Sequence, residues 1–136
     1  AAPAFAAYRA AFTPTGAFPK PHAIIALSVL VAPSDEEARY LSGSQELSWA
    51  LFHSGQVRKL VPPEEAATHD YTPQESRIIA QHRPLWIVGS PATVKAEIDK
   101  KVAESGADEV MVTTTVWDYE LRLRSFRLLA EAFGLE

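Results

Sequence analysis

Residues 23–32, Ala23-Ile24-Ile25-Ala26-Leu27-Ser28-Val29-Leu30-Val31-Ala32, form an apolar run rich in β-branched side chains and broken only by Ser28. A run of this kind lacks the alternation of a half-solvated strand, so it predicts a strand covered on both faces, as in a parallel sheet. Pro19 and Pro21 precede it, and Ser34-Asp35-Glu36-Glu37 follows. These four residues read as a capping box, in which the Ser34 hydroxyl accepts from the Glu37 amide while the Glu37 carboxylate reaches back to the Ser34 amide. A buried strand leading straight into a capped helix is a βα unit, and it sets the class as α/β.

Upstream, Phe5, Tyr8 and Phe12 fall on one stripe of a helix over Ala4–Phe12, which Thr13-Pro14-Thr15-Gly16 ends. Downstream, Ala38, Tyr40 and Leu41 extend the helix that Ser34 opens. Ser42-Gly43-Ser44 weakens it, and Leu47 to Phe52 resume it up to Gly55, giving two helices or one bent helix. Gln56 to His69 has no period, and Pro62-Pro63 bars a helix interior there, so a long loop with a turn at Glu64–Ala67 is expected. Thr72-Pro73-Gln74-Glu75 is a second capping box, with Pro at the first helical position. A short strand at Leu85–Val88 then meets Gly89-Ser90-Pro91, which supplies turn, N-cap and first helical residue. That helix shows Val94, Ile98 and Val102 on one face and closes at Gly106. A strand at Glu109–Thr114 and an amphipathic helix at Tyr119–Phe133 complete an order of α, then βα three times, in one domain spanning residues 1–136. Right-handed crossovers are expected to place the helices on one face of parallel strands. Such a curled sheet is an arc of a (β/α)8 barrel, and a small doubly wound sheet carries the same local signals.

Composition narrows the functions. At 47% hydrophobic and 22% charged residues the chain has the makeup of a globular domain. A net charge of −4, with thirteen scattered Lys and Arg, leaves no basic stripe for nucleic acid. The longest apolar run is half of what a membrane helix needs. The absence of cysteine excludes disulfides, thiolate nucleophiles and Cys-based metal sites, and fits a cytoplasmic protein. The start Ala1-Ala2-Pro3 has no charged segment before an apolar one, so the expectation is a processed or truncated product without a signal peptide.

Three blocks, in this order and spacing, resemble the luciferase-like flavin-dependent monooxygenases. They are Tyr8-Arg9-Ala10-Ala11-Phe12-Thr13-Pro14 with the apolar strand and Val31-Ala32-Pro33-Ser34-Asp35-Glu36-Glu37-Ala38; Ile87-Val88-Gly89-Ser90-Pro91-Ala92-Thr93-Val94; and Gly106 to Thr114 running through Trp117-Asp118-Tyr119 to Ala130. The blocks look like the family's sixth, seventh and eighth strands with their helices. The resemblance implies the C-terminal three βα units of a (β/α)8 TIM-type barrel, an incomplete barrel with helices outside. It also implies a parent that holds reduced flavin (FMN or a deazaflavin) and uses O2 to oxidise a small organic substrate. In such a parent the flavin phosphate and most catalytic groups belong to earlier strands, so no catalytic residue is assigned and the isolated fragment is expected to be inactive. Where relatives often carry His, this sequence has Tyr119.

Candidate site residues follow from the barrel frame. Gly89 and Ser90, at a helix N-terminus, can meet an anion, although Ser before Pro is also a plain helix cap. Thr113, Thr114, Thr115 and Trp117 fall at the end of the last strand, the rim where barrel sites lie, and can line a flavin or substrate pocket. A Thr run also simply suits a strand. Trp49 and Phe52 can cover an aromatic ring or aldehyde chain, or pack inward as aromatic residues at helical spacing usually do. His22, His53, His69 and His82 lack metal-ligand spacing, so no metal is expected. Arg122 and Arg124 can grip a phosphate or remain solvated, and Asp118 is read as a cap. Because a barrel needs eight strands and this chain offers three, association is expected, with copies of itself or with the N-terminal portion. The rival reading is a non-catalytic α/β interaction module that binds through open sheet edges.

Overall fold

The computed structural model describes residues 1–135. Its elements are α1 (Ala2–Ala11), β1 (Ile24–Val31), α2 (Asp35–His53), α3 (Pro63–Thr68), α4 (Pro73–His82), a 3-10 turn at Arg83–Leu85, β2 (Trp86–Gly89), α5 (Pro91–Ser105), β3 (Glu109–Thr113) and α6 (Tyr119–Ala132). All strand pairs are parallel, with Ser28–Val31 of β1 against Trp86–Gly89 and Ile24–Ser28 of β1 against Glu109–Thr113. An α/β architecture with a parallel sheet is therefore present.

The strand order corrects one expectation. It is β2-β1-β3, with β1 in the centre, whereas three consecutive barrel strands would lie in chain order. The step from β1 to β2 goes one way and the step from β2 to β3 goes back across β1, so crossovers of one hand fall on opposite faces. The core reflects this. Leu27, Val29, Val31 and Ile87 pack under Val94 and Ile98 of α5, with Leu128, Leu129 and Phe133 against them. Side chains of the other parity, Leu30 and Val88, pack with Ala38 and Leu41 of α2. Helices thus cover both faces rather than one.

Cover on both faces holds for only half of β1, a second correction. Leu30 is 1% exposed, but Ile24 on the same face is 43% exposed, Ala26 is exposed, and their neighbour Met111 on β3 is 53% exposed. The apolar sequence is uniform; its burial is not.

The helices form where their caps predict, with two differences. Residues 42–44 neither break nor split α2, because Ser42 turns its hydroxyl onto the Arg39 carbonyl (2.8 Å) and a Cβ at Gly43 would lie 3.4 Å from Cβ of Ala66 on α3. Small residues there allow close helix approach. In addition, Ser34 accepts from the Glu37 amide (3.1 Å) while the Glu37 carboxylate pairs with Arg124, so only half of that capping box forms. At Thr72 and Glu75 both halves are made. The expected turn at Glu64–Ala67 is α3, held by Ala66 and Val61 against Leu47 and Leu51.

Candidate functional site

Parallel strands place their C-terminal ends together, so Gly89-Ser90 and Thr113–Trp117 occupy one end of the sheet, on either side of β1. Each side is built differently.

On the β2 side, Asp35 from the first turn of α2 accepts from the Ser90 amide (2.6 Å) through Oδ1 and from the Thr93 hydroxyl (3.1 Å) through Oδ2. The bond from the Ser90 amide, then that from the Thr93 hydroxyl, hold the Asp35 carboxyl below its ordinary pKa. Ser90 itself caps α5 by accepting from the Thr93 amide (3.4 Å). A helix N-terminus attracts anions, and here the chain supplies its own. Gly89 lets that carboxylate approach, since a Cβ would stand 2.8 Å from Oδ1 of Asp35.

On the β3 side, Val116 is buried against Leu30 and Leu121 and anchors the turn, which leaves Thr115 and Trp117 exposed on either side of it. Thr114 Oγ1 is shielded from solvent and has no partner among the described residues. Asp118 caps α6 by accepting from the Leu121 amide (3.0 Å). Arg122 lies over the Tyr119 ring, 5.5 Å from its centroid, and Arg124 is bound to Glu37. Below this rim, Ala26, Met111 and Thr113 form a bare strip on the face of β1 and β3 that α5 and α6 do not cover.

Trp49 and Phe52 lie elsewhere. α2 leaves the rim at Asp35 and runs back along the sheet, so Phe52 is roughly 26 Å from the rim at the helical rise. With Ser48, Gln56, Val57 and Arg58 they line an open pocket of about 310 Å³. Trp49 is also packed between helix and sheet, 6.3 Å from Trp86. The fold therefore brings Gly89, Ser90, Thr114, Thr115 and Trp117 to one end and leaves Trp49 and Phe52 outside it. Sequence reading missed Asp35 as the residue that occupies the α5 N-terminus, although its place directly after a strand and N-cap carries the signal. No group of three or more His, Asp or Glu side chains arranged to hold a metal ion is present among the described residues.

No protein-family model matches the chain. It is 37% identical over 131 residues to the uncharacterised protein YceB of Bacillus subtilis (strain 168), covering 96% of this chain and 39% of that protein. It is 29% identical over 121 residues to a luciferase-like monooxygenase of Escherichia coli (strain K12), covering 89% of this chain and 36% of that protein. Among solved structures, the crystal structure of apo-MsnO8 superposes with a TM-score of 0.89 at 34% identity, covering 98% of this chain and 41% of that one. The chain thus spans about two-fifths of the length of the proteins it matches.

Proposed function

From the premise that nearly the whole chain is similar to luciferase-like monooxygenases, we propose that it is the C-terminal portion of such an enzyme. The intact parent is then a (β/α)8 barrel that uses reduced FMN and O2 to oxidise a small organic substrate, and this chain alone is inactive. The supporting observation is the extent of the match, 89–96% of this chain with the two relatives named above. The topology refines the barrel reading. β1 and β3 are adjacent and parallel, with α5 and α6 behind them, as two neighbouring wall strands would be. Residues 35–89, carrying α2 and β2, are an insertion between those strands.

The residues present fit one part of a flavin and not another. Trp117 is 49% exposed at the same end of the sheet as the Thr114 hydroxyl, which has no partner among the described residues, and this suits an aromatic ring bearing polar edges. Asp35 already fills the α5 N-terminus, and a second anion there would meet its charge, so Gly89 and Ser90 frame the rim and do not take the flavin phosphate. When bound, reduced flavin supplies the electrons for oxygen chemistry. This chain's share is positioning: Trp117 stacks, Thr114 and Thr115 orient, and the strip of Ala26 and Met111 keeps water from one side. Titration of FMN against the chain, followed by flavin fluorescence, tests this share. Quenching that falls several-fold in Trp117→Ala is expected, with no oxygen consumption above buffer when reduced FMN is supplied. Flavin fluorescence unchanged by the wild-type chain would overturn it.

The bare edge favours association as a second property. β2 pairs only with Ser28–Val31, so Ile24–Leu27 have no strand on that side among the described residues. A groove of about 530 Å³ lies there, lined on one side by Ile25, Leu27, Leu85 and Ile87 and on the other by the N-terminal end of α1 and polar residues of α5. The N-terminal portion of the parent fills it in the intact enzyme, and a second copy of this chain does so in its absence.

A further inference from the structure

His53 and His82 are 29 positions apart in sequence, yet their ring centroids are 4.8 Å apart. Each also stacks on the Trp49 indole at an interplanar angle of 22°, with centroids at 5.3 Å and 5.1 Å. Rings on opposite faces of the indole would stand farther from each other than from it, so the two imidazoles share one face, side by side. Unlike His22, bonded to Glu109, and His69, bonded to Glu75, neither has a carboxylate partner among the described residues.

We propose that His53 and His82 form a two-imidazole site for a divalent first-row transition ion of the Ni²⁺, Cu²⁺ or Zn²⁺ kind. Three independent features point there. With a metal–nitrogen bond of about 2.0–2.1 Å, a ring centroid lies about 3.2 Å from the ion, and two rings 4.8 Å apart then subtend roughly a right angle, as adjacent ligands do. His82 Nδ1 is 2.9 Å from the Ile78 carbonyl oxygen, which fixes that nitrogen as the donor and leaves Nε2 free as the ligand atom. Ligating histidines are commonly oriented by such a bond. Finally, His53 is the last residue of α2 and His82 the last of α4, so two helix C-termini, each a partial negative charge, converge on the site. The bidentate Arg83–Glu46 pair, with both contacts 2.8 Å, ties the end of α4 to α2 and holds the histidines in place. Imidazole donors select these ions over Mg²⁺ or Ca²⁺, and water or a small external ligand completes the coordination. Bound there, the ion clamps the C-terminal end of α2 to the junction of α4 and β2.

Trp49 makes the site its own reporter. In a titration of the chain with Ni²⁺, followed by tryptophan emission, saturable quenching reversed by a chelator is expected, with no response to Mg²⁺. His53→Ala and His82→Ala should each weaken the apparent affinity at least tenfold, and His22→Ala should leave it unchanged. Zn²⁺ should raise the melting temperature of the wild type and of neither single variant, whose folding circular dichroism checks. Quenching absent from the wild type, or surviving at wild-type affinity in either His53→Ala or His82→Ala, would overturn the site.

Discussion

A Cβ on Gly89 would meet Oδ1 of Asp35 and Cγ2 of Thr93, each at 2.8 Å, and both belong to the clasp that ties α2 to α5. Neither can retreat without giving up a hydrogen bond, so Gly89→Ala is expected to cost about 1–3 kcal/mol, the usual range for forcing a methyl group into a filled space. The urea midpoint measures it, and a midpoint equal to the wild type would show that the clasp yields freely. The same carboxylate gives the chain part of its acid sensitivity. Asp35 is held below its ordinary pKa chiefly by the Ser90 amide, Asp108 by the Ala23 amide and then Arg9, and Glu75 by the Thr72 amide. Each therefore stays ionised in the folded chain at a pH where the unfolded chain takes up a proton. Their contribution is present in full above the ordinary carboxylate pKa, about 4, and is lost as pH falls through the lower folded values. Asp35→Asn and Asp108→Asn should each flatten the fall of the urea midpoint below about pH 4. A slope unchanged in both variants would assign acid unfolding to other groups.

At the scale of elements, α6 completes the sheet where β3 stops. β3 pairs with β1 only as far as Ser28, and the Val31 amide beyond it donates to Oγ of Ser125, a side chain 1% exposed (2.9 Å). Ser125→Ala leaves a buried amide without an acceptor and should cost about 1–3 kcal/mol. Equilibrium unfolding at neutral pH reads this directly; a loss of a few tenths would mean that water reaches the amide. The elements themselves were legible because their signals are local: Ser34, Thr72, Ser90 and Asp118 cap helices as their residue types predict, and the three apolar runs are strands. Which side of β1 each neighbour takes is not a local signal. Ile24 and Leu30 are equally apolar in sequence, and only the strand order leaves one bare and buries the other. The rim residues Ser90, Thr114, Thr115 and Trp117 could be read from strand ends, whereas Asp35 and the His53–His82 contact depend on packing between elements distant in sequence.

On the scale of the whole molecule, the sheet has more apolar surface than its helices cover. Among the described residues β3 is an edge strand and half of β1 lacks a neighbour on its other side, and Ile24, Ala26, Met111 and Leu85 are exposed around these gaps. Unpaired backbone along an apolar edge is a template for another strand, and soluble chains usually block such edges with charge or cover. Here Glu109, bonded to His22, is a charge on the bare face of β3: it stands in register with Ile24 and two residues before Met111, while Ala26 and Met111 themselves carry none. The chain alone is therefore expected to self-associate with rising concentration, giving masses above its own 14.9 kDa in light scattering. Ile24→Lys and Met111→Lys place a charge on the bare face without removing a buried contact, so both should return the chain to monomer while leaving its melting temperature within about a few degrees of wild type. The two substitutions separate the causes. If association runs through this face, the lysine variants dissociate and stay folded, whereas association through the Phe52–Val57 pocket would leave their mass unchanged. A wild-type chain that remains a 14.9 kDa monomer at every concentration would mean that a segment spanning about two fifths of the length of its relatives is a self-sufficient fold.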